Sequence, residues 1–248
     1  MILAILQARI SSSRLPGKVS KILHGKPMLL HQVERLRYAK NLDRIIVATS
    51  TNFEDNIIEE ICINNKIQFF RGSLNDVLDR YYQVALIEKP KHIVRVTGDC
   101  PLIDPNVLDA VVTTHLNEKN DYTSNTRPPT FPDGLDIEVM TYSALERAWK
   151  EATLLSQREH VTLYIYQNIG SFKIGQYQSE KNFSNMRWTV DEPEDFQFVN
   201  QIYKELYNSN PRFLMEDILD LLNRKPGLME INNKFKRNEG LNRSLAKD

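Results

Sequence analysis

An α/β fold built on a mostly parallel sheet is what this chain predicts, and three observations predict it. Apolar runs of strand length alternate with amphipathic helical stretches through the first half. Those strands read as continuous hydrophobic runs, so helices should cover both faces of the sheet. The first strand stops abruptly in a cationic loop, an arrangement that places anions outside the carboxyl ends of parallel strands.

The elements follow in order. Ile2–Gln7 reads as a buried strand. Pro27 opens a helix in which Leu29, Leu30, Val33, Leu36 and Tyr38 recur at helical spacing. A second strand covers 44–48, followed by a helix with Ile57, Ile58, Ile61 and Cys62 on one side. A short third strand covers 67–71. A helix over 77–86 turns Leu78, Tyr81, Tyr82 and Ala85 inward. A fourth strand, 93–97, ends at Gly98-Asp99, where the small glycine permits close approach of a ligand. Asp104 is placed to cap a helix with Pro105 at its first position.

The second half is less regular. Residues 126–134 form a proline-rich loop, and 135–140 alternates as a strand. Ser143, with Glu146 three residues on, predicts a capped helix through Trp149. Ser156 is placed to cap another through Leu163, opened by Arg158, Glu159 and His160. Strands are expected at 172–177 and 187–190, with Glu192 capping a helix that starts at Pro193. A last regular helix covers 214–222. From Lys225 the chain is polar, basic and weakly periodic. The expected organisation is one domain over 1–224 and a basic arm over 225–248.

Composition narrows the classes of function. The 248 residues are 41% hydrophobic and 26% charged, as expected of a soluble globular chain. Thirty-two basic and 32 acidic side chains balance to zero, so no global field draws nucleic acid or an anionic membrane. The arm lacks interleaved aromatics apart from Phe235, which also argues against nucleic acid. The opening apolar run is too short for a membrane span and lacks a basic flank, so the cytoplasm is the expected compartment. Cys62 and Cys100 form neither a disulfide framework nor a zinc pattern.

Positive charge is instead local. Arg9, Arg14, Lys18, Lys21 and Lys26 all precede the first acidic residue, Glu34. Arg9 and Arg14 can fork onto phosphate oxygens, and Lys18 can add a point charge. Ser11, Ser12 and Ser13 add hydroxyl and backbone donors. The pattern is neither a Walker A loop nor a dinucleotide fingerprint. A polyphosphate travels with magnesium, which takes carboxylate oxygens and keeps several waters. Asp99 and Asp191, each after a strand, are the candidate ligands.

These motifs together resemble the nucleotide-sugar cytidylyltransferases. Ala8-Arg9-x-x-Ser12-x-Arg14-Leu15-Pro16-Gly17-Lys18 matches their signature, most closely the spore-coat-polysaccharide type and then the 3-deoxy-manno-octulosonate type. The resemblance continues through Gly72-Ser73-x-x-Asp76-Val77-Leu78-Asp79-Arg80-Tyr81, Thr97-Gly98-Asp99-Cys100-Pro101-Leu102 and Pro132-Asp133-Gly134-Leu135-Asp136. It goes on through Arg158-Glu159-His160-Val161 and Trp188-Thr189-Val190-Asp191-Glu192-Pro193 to Lys236-Arg237-Asn238-Glu239-Gly240.

The resemblance implies a Rossmann-like fold of the nucleotide-diphospho-sugar transferase kind. The implied activity is CTP-dependent transfer of CMP to a sugar or sugar acid, with release of pyrophosphate, for surface polysaccharide or glycan precursors. It puts Arg9, Arg14 and Lys18 on the triphosphate and magnesium on Asp99 and Asp191, with Arg14, Lys18 and Asp99 the catalytic set. The nucleotide set adds Ala8, Ser12, Ser13, Gly72, Ser73 and Thr97. Asn125, Arg127, Asp133, Asp136, Glu138, Arg158 and His160 form the expected acceptor set, with His160 either a base or a packing residue. The segment 125–180 is expected to bind acceptor and to form a homodimer. Two departures stand out: Ser11 lies where the spore-coat type has a glycine nearby, and Cys100 replaces an acid of the octulosonate enzymes, which argues against that acceptor. Two other classes fit the residues less well: a nucleotide-sugar glycosyltransferase, needing an acidic pair that Asp136 and Glu138 resemble loosely, and a non-catalytic module of the same fold.

Overall fold

The computed structural model describes residues 1–235, 237, 239–246 and 248. Lys236 and Asn238 of the last resemblance motif lie outside the described residues. The strands are β1 (Ile2–Gln7), β2 (Ile22–Leu23), β3 (Lys26–Pro27), β4 (Arg44–Ser50), β5 (Phe69–Gly72), β6 (His92–Thr97), β7 (Tyr122–Ser124), β8 (Glu138–Thr141) and β9 (Ile174–Gln176). The helices are α1 (Met28–Leu36), α2 (Asn56–Asn64), α3 (Val77–Glu88), α4 (Pro105–Glu118), α5 (Tyr142–Glu151), α6 (Leu155–Glu159), α7 (Leu163–Gln167), α8 (Pro193–Leu206), α9 (Met215–Arg224) and α10 (Glu239–Leu245).

Seven strands make one sheet in the order β5-β4-β1-β6-β8-β7-β9, while β2 and β3 form a separate ribbon. Strands β5, β4, β1 and β6 are mutually parallel, β8 runs antiparallel to β6 and β7, and β9 is parallel to β7. The two-residue period of β1 sends Ala4 and Leu6 to one face and Leu3 and Ile5 to the other. On the first face they join Met28 and Leu29 of α1, Leu108 of α4, Phe198 of α8 and Ile218 of α9. On the second they join Leu78 and Tyr81 of α3, Leu145 of α5 and Ile165 of α7. Burial on both faces is why Leu3 to Leu6 of β1 form a continuous apolar run. Cys62 lies in the first core, as expected.

Several local expectations shift. The cap of α5 is Thr141, whose hydroxyl accepts from Ala144 N at 3.1 Å, in place of Ser143. The helix expected from Ser156 through Leu163 breaks into α6 and α7. Val161 between them is fully buried at φ 54°, a conformation costly for a β-branched side chain. Arg158 and Glu159 therefore end a helix, and His160 sits at its C-cap. Residues 187–190 form no strand of the sheet; their sheet-like pairing is an isolated bridge between Arg187 and Asp133. The short strand β7 had no sequence signal, its three residues being too few for a period.

The described part of the basic C-terminal stretch holds more regular structure than its weak periodicity suggests. A 3-10 turn covers Pro226–Glu230, Asn232 is buried, and α10 closes the chain. Among the described residues, no helix is long and apolar enough to cross a membrane.

Candidate active site

A cavity of about 810 Å³ opens beyond the carboxyl ends of β1 and β6, where Gln7 and Thr97 form its floor. Its position follows from the topology, because parallel strands end on the same side. The cationic loop leaves β1 and borders it. Asp55 pins the loop's start by accepting from Ile10 N at 2.7 Å. Gly17, at φ 71°, donates back to Ile10 O at 3.0 Å and turns the chain into Lys18.

The loop's cations meet the two aspartates. Lys18 Nζ lies 3.3 Å from Asp99 Oδ2 and 2.8 Å from Asp191 Oδ1, and also donates to Val190 O at 2.8 Å. Arg14 Nη2 reaches Asp191 Oδ2 at 2.9 Å. Burial alone would raise the Asp99 carboxyl. The Lys18 ammonium reverses this, with help from Thr97 and Cys100, and holds it at about 2. Burial likewise opposes charge on Lys18, and Asp99 and Asp191 overcome it to raise the ammonium's pKa.

Asp191 reaches this point without a strand. Val190 N donates to Asp99 O at 2.8 Å and Trp188 N to Asp133 O at 2.6 Å, so 187–190 is tied to the end of β6 and to the proline-rich loop. Gly134, at φ 109°, makes the junction possible, since a Cβ there would lie 2.5 Å from Thr189 N. Gly98 serves a similar end. A Cβ on it would lie 2.8 Å from Gln7 O, so the close approach it permits is to the β1 backbone. Behind Asp191, the Arg187 guanidinium forks onto Asp195 at 2.9 and 2.8 Å. Glu192 does occupy the N-cap of α8, but the Asp195 carboxylate is what accepts from the amides of Asp191 and Glu192, at 2.9 Å each.

Two carboxylates converging on one cation suit a hard divalent ion that takes one or two protein oxygens and completes its shell with water and phosphate. Among the described residues no group of three or more His, Cys, Asp or Glu side chains forms a metal cage. Asp99 and Asp191 supply the hard oxygen donors that a divalent ion accompanying a polyphosphate would need.

The remaining expected residues divide. Ala8, Arg9, Ser12, Ser13 and Thr97 border the cavity with the loop cations, as do Arg127, Asp133, Asp136, Glu138 and His160. Gly72, Ser73, Asn125 and Arg158 do not. Gly72 O accepts from Thr51 N, and Ser73 Oγ from Asp76 N at the start of α3. The Asn125 amide clasps Leu135 O at 2.7 Å and Ile137 N at 2.9 Å. Arg158 forks onto Asp76 and donates to Trp149 O at 2.7 Å. These are architectural contacts, so the expected roles of these four on nucleotide and acceptor are not supported by the geometry.

Asp133 and Asp136 share a wall. Burial raises the first to about 6 and the second to about 7, although Arg237 opposes both shifts. Glu138 behaves differently. Burial opposes its charge, but Arg95 pairs with it and Thr162 Oγ1 donates to it at 2.6 Å, so its pKa is lowered. Burial, then Arg95, lowers the His160 imidazole too, and its Nε2 has no partner among the described residues. Arg127 stacks on Tyr166, 3.4 Å from the ring centre.

Sequence reasoning missed Arg80, Arg95 and Arg187. Arg80 is 1% exposed and borders the cavity, and its Nε and Nη1 have no hydrogen-bond partner among the described residues. Its only sequence signal was its place in the motif following Gly72-Ser73.

A model of the cytidylyltransferase family matches residues 3–221. The chain belongs to the cytidylyltransferase family. It is accordingly a nucleotidyltransferase. An uncharacterised protein of Methanocaldococcus jannaschii is 38% identical over 95% of this chain and 96% of its own length. The spore coat polysaccharide biosynthesis protein SpsF of Bacillus subtilis is 35% identical over 91% of this chain and 95% of its own length. A solved cytidylyltransferase from Leptospira borgpetersenii superposes with a TM-score of 0.89 at 32% identity, covering 95% of this chain and 99% of that one.

Proposed function

We propose that this cytidylyltransferase transfers CMP from CTP to a hydroxyl of a sugar or sugar acid, releasing pyrophosphate, to make an activated precursor for a surface polysaccharide or glycan. The observation that carries this reading is the convergence of Lys18, Arg14, Asp99 and Asp191 at the mouth of one cavity. Likeness to SpsF supports the polysaccharide context.

In this reading Arg9, Arg14 and Lys18 hold the triphosphate, and Arg80 directs its unpartnered N–H groups at the nucleotide. Magnesium, when bound by Asp99 and Asp191, would neutralise phosphate charge and polarise the α-phosphate. An acceptor oxygen attacks the α-phosphorus, the bond to the bridging oxygen of the β-phosphate breaks, and pyrophosphate leaves. Arg14 and Lys18 stabilise the leaving charge, so positioning and electrostatics supply most of the rate. Asp136, raised to about 7, has the proton affinity to take the acceptor's hydroxyl proton, whereas burial and Arg95 lower the proton affinity of His160. A homodimer in the cytoplasm completes the proposal, with the exposed Leu154, Leu155 and Ile169 of the 125–180 segment as the contact.

Incubation with CTP, magnesium and a panel of nonulosonic acids, octulosonic acids and neutral sugars should release pyrophosphate with one acceptor class. Asp99→Asn should lower that release about a thousandfold while leaving the circular dichroism spectrum unchanged. Wild-type turnover by the variant at limiting magnesium would contradict the assignment.

A further inference from the structure

The wall of the cavity is completed by the end of the chain. Glu239, Leu241 and Ser244 border it, on the side facing the cationic loop. Polar contacts fasten this segment. The Asn232 amide donates to Arg187 O at 3.0 Å and to Asp195 at 2.9 Å. Arg237 pairs with Asp136 and donates to Phe131 O at 3.1 Å. Ser244 Oγ donates to Glu159 at 2.7 Å. Among the described residues, Leu228 and Ile231 pack against the core, while Leu245 is 40% exposed.

Glu239 Oε2 lies 3.4 Å from Arg14 Nη1, whose other partners are Asp191 and Glu192. Carboxylate and phosphate are the same class of partner for a guanidinium. A triphosphate arriving at Arg14 therefore meets a like charge already there, in a site where Arg14 is only 20% exposed and water screens weakly. Asp191 and Glu192 are fixed at the start of α8 by the Asp195 carboxylate, so Glu239 is the partner placed to yield to a phosphate.

We propose that the C-terminal segment is a displaceable occupant of the phosphate subsite, with Glu239 holding Arg14 until the nucleotide's phosphates take it. This rests on the reading of the cavity as a nucleotide site. Coupling of this kind is reciprocal: phosphate binding loosens the segment by the factor with which the segment weakens phosphate binding. After transfer the product retains a single phosphate. Pyrophosphate keeps the phosphates that Arg14 held, so Glu239 competes with it for Arg14 and favours its departure.

The test compares wild type with Glu239→Gln by calorimetric titration. Mg·CTP is one ligand, and magnesium tripolyphosphate is a base-free probe. The variant should bind both about fivefold more tightly or better. In wild type, amide exchange across the C-terminal segment should accelerate when either ligand is added. An unchanged or weaker affinity in the variant, or slower exchange on ligand addition, overturns the proposal. Wild type that binds tripolyphosphate and not Mg·CTP overturns the cytidine reading alone, and the displacement is then judged on tripolyphosphate. Wild type that binds neither overturns both.

Discussion

Arg80 shows what a single residue reveals about this site. A guanidinium with 1% of its surface exposed and two nitrogens unpartnered among the described residues is destabilising by itself, because burying an unpaired charge costs several kcal/mol. Burial, with the nearby Arg9 cation adding to it, lowers the Arg80 pKa although Tyr81 works the other way. Arg80→Met keeps the stem's packing and removes the charge. We expect the urea midpoint to stay level or rise and Mg·CTP affinity to fall about tenfold or more. A variant that loses stability with unchanged affinity would show the group to be architectural. Chemistry at this scale was partly legible. Arg14, Lys18, Asp99 and Asp191 could be grouped because their residue types suit a polyphosphate and its metal, and the structure brings them together. Arg158 and Asn125 have equally suitable types, yet their polar groups are taken up by Asp76 and by 135–137. Residue type states what a side chain can bind, and only its neighbours state what it does bind.

Among the elements, α4 and α9 are joined by one carboxylate. Asp104 accepts from Asn106 N at 2.7 Å and Val107 N at 3.2 Å, capping α4, and its other oxygen accepts from Met215 N at 2.6 Å. It is 1% exposed, so loss of the side chain leaves buried amides without partners. Asp104→Ala should lower unfolding free energy by about 2–3 kcal/mol, read from denaturant melts, with Asp104→Asn intermediate. The first role was readable from Asp before Pro105; the second was not, since Met215 is distant in sequence. The same divide explains the α5 cap. Thr141 and Ser143 are both good capping residues, and the end of β8 decides between them by placing Thr141 in extended backbone at φ −73° and ψ 156°. The break at Val161 had no local signal at all. Helical spacing continues across it, and packing alone imposes the left-handed turn.

At the scale of the whole molecule, the cavity is built from segments far apart in the chain. Lys18 meets Asp99 across 81 residues and Asp191 across 173, and Arg14 meets Glu239 across 225. Such a site should couple ligand binding to global stability. Mg·CTP at a hundred times its dissociation constant should add about 2.7 kcal/mol, which for a chain of this size raises the thermal midpoint by roughly 5–10 °C. Chelating the magnesium with EDTA should remove most of that rise, since Lys18 and Arg14 would then have to neutralise both the two aspartates and the triphosphate. A rise that survives EDTA would show that the nucleotide binds without the metal and would count against the roles given to Asp99 and Asp191.

The sequence by itself determined the strand and helix alternation, the cationic loop after β1 and the cap of α4. Each depends on hydrophobic period or on chemistry within about four residues. Only the tertiary structure decided that 187–190 needs no sheet to deliver Asp191, that Gly72, Ser73, Asn125 and Arg158 lie outside the cavity lining, and that Glu239, Leu241 and Ser244 border it. Those outcomes depend on which distant groups pack together, and no local pattern encodes that.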